Sequence, residues 1–164
     1  MPDQTTTMLD VLRRQFDPCL QMLADVVDAC PASVWLDSQN GRPFWQQVIH
    51  ALTGVRFWLR EASQPFSLPD FGQGPIPDLD QPPSFVVDKQ TAKAYLHTIR
   101  ITTDAFFGTL DDLRLLATSS IYDKCTYADL ILMQIRHLQH HVGYCNCLLQ
   151  TGHALPAKWK GHAE

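Results

Sequence analysis

The sequence predicts an all-α protein, a four-helix bundle with a long proline-rich crossover between its second and third helices. Four stretches carry apolar side chains at the three-four spacing of a helix face, and none alternates apolar and polar residues as a strand does. Residues 64–87 contain six prolines, which excludes regular structure there. At 164 residues the chain is long enough for one core, so a single domain over residues 1–164 is expected.

The first predicted helix is an amphipathic stretch interrupted by one proline. Its helical phase is kept through Pro18, which favours one kinked helix over two separate ones. We expect it to end near Cys30. Its apolar stripe consists of Leu9, Leu12, Phe16, Cys19, Leu23, Val26 and Cys30.

The second predicted helix starts at Pro43, a residue suited to a first helical turn, and continues through FWQQVIHALTGVRFWLREA. This segment is apolar around most of its circumference, so we expect it to be the most buried helix. His50 lies at its centre. Gly54 follows one turn later and is small enough to let another backbone or a ligand approach closely.

The proline-rich segment at residues 64–87 is long for a connection within one domain. A crossover along a bundle, joining two helices that point the same way, explains this length. A flexible linker between two domains is the competing interpretation. Neither half of the chain is large enough to form a comfortable core alone, which favours the crossover.

The third and fourth helices have recognisable ends. Asp88 can cap the third, which places Tyr95 and Ile99 on one face. The fourth begins at a capping box formed by Thr126 and Asp129. We expect it to end with Gly152 in a left-handed conformation.

Composition argues against several classes of protein. The net charge is −4 and the 13 Lys and Arg residues are scattered, so nucleic acid is not an expected partner. The apolar runs are too short for a membrane-spanning helix, and the first residues lack the pattern of a signal peptide. We therefore expect a cytoplasmic protein without a membrane partner. The five cysteines form no CxxC pair and are expected to be reduced.

Three histidines occupy helix faces that should otherwise be apolar. His137 and His141 form an HxxxH pair and lie about 40° apart around the fourth helix, within its core stripe. A third ligand must come from another helix, and His50 is the natural choice. His140, at the margin of the stripe, and His97, on the third helix, rank lower. Three neutral imidazoles suit one divalent metal ion and leave a position for water or substrate.

Other metal centres do not fit the composition. Glutamate occurs only at Glu61 and Glu164, so the four-glutamate pattern of a di-iron bundle is impossible. The HLQHH stretch lacks the glutamate of HExxH, and no CxxCH haem motif is present. A mononuclear, histidine-rich site is what remains, beside the simpler alternative that the bundle binds no metal.

The order of these motifs resembles that of the DinB/YfiT-like superfamily. The similar features are a tryptophan-containing second helix with a central histidine, FWQQVIHALTG, a long loop, and a fourth helix of the form T-x-x-D-L-x(6)-H-x(3)-H-x-G. This likeness covers roughly residues 5–152. Tyr144 stands where members of the superfamily frequently have glutamine.

The resemblance implies an up-down-down-up bundle in which His50, His137 and His141 bind a divalent ion, zinc or nickel. It also implies a homodimer. Several branches of the superfamily are enzymes that use a low-molecular-weight thiol such as bacillithiol or mycothiol.

We therefore expect a metal-dependent enzyme acting on a small molecule, as a thiol S-transferase, an isomerase or a hydrolase. Tyr144 and Gln134 flank the predicted ligand face and could contact a substrate or simply pack within the bundle. The alternative function is a non-catalytic metal-binding or dimeric interaction module.

Overall fold

Four long helices form the frame of the protein. The computed structural model describes residues 6–38, 41–76 and 79–162. The long helices are α1 (Met8–Ala29), α3 (Phe44–Trp58), α4 (Lys89–Gly108) and α6 (Tyr127–Thr151), and the one-turn helices are α2 (Ala32–Trp35) and α5 (Asp112–Leu115). Within the described ranges there is no β-strand, only two isolated bridges. The prediction of an all-α protein is confirmed.

The long helices pack around one apolar core. Helices α1 and α3 each contact both α4 and α6. Phe16, Trp45, Ile99 and Leu138 are almost completely buried, so each long helix contributes a large side chain to this core. Burial of such side chains is the main source of stability in a helical protein of this size.

Helix α1 runs without interruption through Pro18. Its first turn is closed by a capping box, in which Thr7 and Asp10 satisfy each other's backbone N–H groups. The prediction of one helix rather than two is therefore confirmed. The apolar stripe of α1 is buried from Leu12 to Cys30.

The predicted starts of the later helices agree with the structure. Pro43 immediately precedes α3, the Asp88 carboxylate accepts the N–H of Thr91 at the start of α4, and the Thr126–Asp129 capping box opens α6. The carboxyl groups of Asp88 and Asp129 have pKa values below their usual range, because each accepts hydrogen bonds from the cap it closes.

Helix α6 ends at Gly152 as expected, but the left-handed conformation predicted for that glycine is wrong. Gly152 has a φ of −81°, within the range of ordinary residues, while His153 has a φ of +58°. The left-handed position thus falls on His153. The reversal is held by backbone hydrogen bonds from His153 to Gln150 and from Ala154 to Leu149.

Residues 59–88 contain no helix or strand in their described part. Several contacts attach this segment to the helices. The Trp35 indole donates a hydrogen bond to the Val87 carbonyl at 2.9 Å, and the Gln46 amide donates one to the Gln81 carbonyl at 3.1 Å. Ile76 is buried in the core. The segment therefore packs on the helices instead of extending into solvent.

Candidate metal centre

Helices α3 and α6 bring three histidines together. His50 extends from the middle of α3, while His137 and His141 extend from successive turns of α6. One ring nitrogen from each histidine lies within 4.8 Å of the others. The ring centroids are separated by 4.6 Å for His137 and His141, and by 4.9 and 5.3 Å for His50 with His141 and His137. The three predicted residues thus form one cluster.

Two glutamines orient the α6 imidazoles. The Gln47 amide oxygen lies 2.9 Å from Nδ1 of His141, and the Gln134 amide oxygen lies 3.3 Å from Nδ1 of His137. An amide oxygen only accepts hydrogen bonds, so these contacts suit the neutral tautomer of each ring that carries its proton on Nδ1. In that tautomer, each Nε2 atom carries a lone pair.

These two Nε2 atoms lie 3.0 Å apart. Two lone pairs at this distance repel each other unless a bound proton or a metal ion lies between them. Two nitrogens bound to one zinc ion at about 2.0–2.1 Å in tetrahedral geometry are separated by about 3.3 Å, close to what is found here. The donor set, its tautomers and its spacing therefore fit a divalent metal ion.

Gly54 makes room for one of these rings. A Cβ atom at this position would lie 2.5 Å from Cε1 of His137, well inside van der Waals contact. Any side chain at residue 54 would therefore push the imidazole away. The close approach expected at this glycine occurs, but the group that approaches is the side chain of a candidate metal ligand, not another backbone.

A cavity of about 480 Å³ opens beside the histidines. This volume is within the range of about 300–1,000 Å³ typical of small-molecule sites. His50 and His137 lie in its wall, so a molecule held in the cavity reaches two of the three candidate ligands. The other lining residues are Ile49, Thr53, Gly54, Phe57, Trp58, Phe66, Leu68, Ile76, Met133 and Gln134.

Burial separates the cluster from the other histidines. His141 is only 3% exposed and His50 and His137 are half-buried, whereas His97 and His140 are exposed. The His140 ring does contact the His141 ring, at 5.1 Å between centroids. Among the described residues, only His50, His137 and His141 form a group of three or more histidine, cysteine or acidic side chains able to share an ion.

The most buried cysteines are poor nucleophiles. Burial raises the pKa of the Cys30 thiol to about 12, and it raises the pKa of the Cys19 and Cys145 thiols as well. Thiols of this kind stay protonated and unreactive at neutral pH. All five cysteines are free, and none of them is among the residues that line the cavity.

The role of Gln47 was not predicted from sequence. It lies three residues before His50 on the same face of α3, and a histidine's remaining ring N–H needs an acceptor, so helical spacing could have indicated it. Gln134 does lie at the site, in contact with His137 and the cavity. Tyr144 instead lies against the turn before α3, where a Cβ on Gly41 would be 2.8 Å from its hydroxyl.

The fold and the cluster define a helical protein with a candidate three-histidine metal centre. A comparison with family models matches the DinB superfamily over residues 15–145, which is most of the chain. The protein therefore belongs to the DinB superfamily, as the sequence resemblance suggested. A search of curated proteins finds no match.

Proposed function

We propose that the protein is a divalent-metal-dependent enzyme that acts on a small molecule, with a mononuclear centre formed by His50, His137 and His141. The observation that carries this proposal is the pair of Nε2 atoms 3.0 Å apart, each on a ring whose Nδ1 faces an amide oxygen. The cavity beside them provides space for a substrate, which a purely structural metal site does not need.

The reaction we propose is transfer of a low-molecular-weight thiol, with isomerisation and hydrolysis as related possibilities of the same centre. A bound divalent ion supplies Lewis acidity, which favours the ionised form of a thiol or water at its open position. In the transfer, the thiol releases its proton to solvent water, its sulfur bonds to the electrophilic carbon, and the leaving group departs with the electron pair. The buried, protonated cysteines of the chain support an external thiol.

Each part of the site has a stated role in this proposal. Gln47 and Gln134 hold the proton of His141 and His137 on Nδ1, so that Nε2 points its lone pair at the ion. Gly54 admits the His137 ring. The largely apolar cavity wall packs against the thiol and the electrophile.

The wider organisation is part of the same proposal. We propose one domain whose helices follow the up-down-down-up order of the superfamily, with residues 59–88 as the crossover. We also propose a homodimer and zinc or nickel as the ion. In the part of the chain that the structure describes, no helix is long and apolar enough to cross a bilayer.

Metal analysis of protein without an affinity tag tests the centre. We expect a single zinc or nickel ion per chain in the wild type, and loss of that ion in His50→Ala and His141→Ala, since each variant removes one of three ligands. His97→Ala is the matched control, because His97 is an exposed helical histidine outside the cluster. Full occupancy in both cluster variants would contradict the proposed centre.

An activity assay tests the reaction. We expect the metal-loaded protein to join a low-molecular-weight thiol to an alkylating or epoxide electrophile, and to lose this activity on chelation and regain it when the ion is restored. Substitution of the exposed Cys147 by serine should leave the rate unchanged. A rate that is independent of the ion would contradict the proposed reaction.

A further inference from the structure

The cavity beside the histidines has an almost entirely uncharged wall. Apart from the two histidines, its described lining residues carry no ionisable side chain, and Thr53 and Gln134 are the polar ones. Phe57, Trp58 and Phe66 contribute aromatic rings. A carboxylate or phosphate buried against this wall would lose its hydration without gaining a partner of opposite charge.

Two arginines lie close to this cavity but do not line it. Arg56 and Arg60 line a neighbouring cavity of about 300 Å³, together with Glu61. In the described lining of the two cavities, Phe66 is the one residue that belongs to both. The Phe66 ring is therefore a partition between an apolar compartment and a charged one.

Aromatic contacts hold this partition in place. The Arg60 guanidinium lies 5.2 Å from the centre of the Phe66 ring and 4.4 Å from that of Phe57, and the Arg56 guanidinium lies 5.6 Å from Phe66. The Phe57 and Phe66 rings meet edge to face at 5.0 Å. These cation–π contacts hold the two guanidinium groups on one side of the aromatic rings, away from the cavity beside the histidines.

We propose that the cavity takes a small molecule whose body is uncharged and apolar or aromatic, and that Phe66 determines this selectivity by separating Arg56 and Arg60 from the ligand. This inference rests on the proposed function, because it concerns the molecule presented to the three histidines. The ion's positive charge would act only at the histidine end of the cavity. Beyond that end, contact with the wall stabilises an apolar group, whereas a charged group loses its hydration there without gaining a partner.

A pair of thiols that differ only at the far end tests the proposal. Benzyl mercaptan and 4-(mercaptomethyl)benzoate share the sulfur that reaches the ion, and only the second carries a carboxylate, ionised at neutral pH. Binding to the Co²⁺-loaded protein is followed by the sulfur-to-cobalt charge-transfer absorption. We expect benzyl mercaptan to bind at least about tenfold more tightly, because the second thiol must bury an unpaired charge. Equal affinities, or tighter binding of the carboxylate, would overturn the proposal.

Phe66→Ala tests the partition directly. Removing the ring joins the two cavities and exposes both guanidinium groups to the ligand, so the preference for benzyl mercaptan should shrink by about tenfold or reverse. Adding Arg56→Gln and Arg60→Gln should restore it. Phe71→Ala is the matched control, since Phe71 belongs to the same proline-rich segment, contacts Tyr95 at 5.4 Å and lines neither cavity. A preference for benzyl mercaptan that is unchanged by Phe66→Ala would show that Phe66 does not determine the selectivity.

The same experiment distinguishes this inference from the proposed function. Absence of the charge-transfer band with both thiols, in protein shown to hold cobalt, would mean that the centre does not bind thiols, and the proposed reaction would fail. A band with both thiols at equal affinity would leave the reaction standing and overturn the apolar selectivity alone.

Discussion

Helix α6 has two buried stripes of very different character. One stripe is entirely apolar and consists of Ile131, Leu138, Val142, Cys145 and Leu149. The other, about 100° away around the helix, contains Gln134, His137 and His141 among apolar neighbours. The apolar stripe is stabilised by close packing of its side chains and requires no hydrogen-bond partners. The second pairs its polar groups one by one, with Gln47 and Gln134 each facing an imidazole.

This difference indicates that the apolar stripe stabilises the fold and that the polar stripe has another role. Replacing buried polar groups by apolar ones of similar shape is often neutral or stabilising, so stability alone does not account for the second stripe. A role as metal ligands explains why this stripe contains histidines. We therefore expect changes in the apolar stripe to affect folding, and changes in the polar stripe to affect metal binding.

The largest expected effect is on stability. Leu138 is completely buried, and Leu138→Ala should lower the free energy of unfolding of the metal-free protein by about 2–5 kcal/mol, because it creates a cavity in the core. Urea denaturation measures this loss. Protein that remains folded should still bind one ion. A selective loss of metal affinity would contradict separate roles for the two stripes.

The second prediction concerns the support of His141. Gln47→Met removes the amide oxygen that accepts the Nδ1 hydrogen, so metal affinity should fall by about 10–100-fold. Competition with a chelator of known affinity measures it. Gln46→Met is the matched control, because Gln46 is the adjacent buried glutamine and its amide donates to the Gln81 carbonyl, in the proline-rich segment. Equal losses in the two variants would contradict a specific role for Gln47.

A third prediction compares two helical glycines. Gly54→Ala places a methyl group against the His137 ring, which should cost about 1–3 kcal/mol in overpacking and weaken metal binding. Gly143→Ala meets no atom within 4 Å outside its own stretch of helix backbone and should stabilise the helix by about 0.5–1 kcal/mol while metal affinity stays unchanged. Thermal denaturation with and without metal separates the two outcomes. A loss of affinity in Gly143→Ala would contradict this assignment.

Much of the frame could be predicted from sequence because strong local signals mark it. The apolar stripe of α1 keeps its phase through Pro18, and capping residues mark the starts of α4 and α6. The one-turn helices α2 and α5 were not predicted, because four residues are too short to show helical periodicity. The left-handed turn after α6 was placed on Gly152 because glycine is preferred there, but local hydrogen bonding puts it on His153.

The site was predictable in its histidines and not in its surroundings. His137 and His141 share a face by spacing alone, and His50 followed from its place in the most apolar segment. Helical spacing places Gln47 on the face of α3 that carries His50, but its contact with His141, 94 positions away on another helix, does not follow from that spacing. The same holds for Phe66, whose position between two cavities depends on how an irregular segment folds over α3.

Anomalous X-ray scattering from crystals of the metal-loaded protein tests the central claim most directly. Data collected on either side of the zinc or nickel absorption edge locate the ion independently of any assumption about its ligands. We predict one anomalous peak per chain, within about 2.0–2.2 Å of Nε2 of His137, Nε2 of His141 and a ring nitrogen of His50. A peak elsewhere in the chain, or none in crystals grown with the ion, would contradict the three-histidine centre.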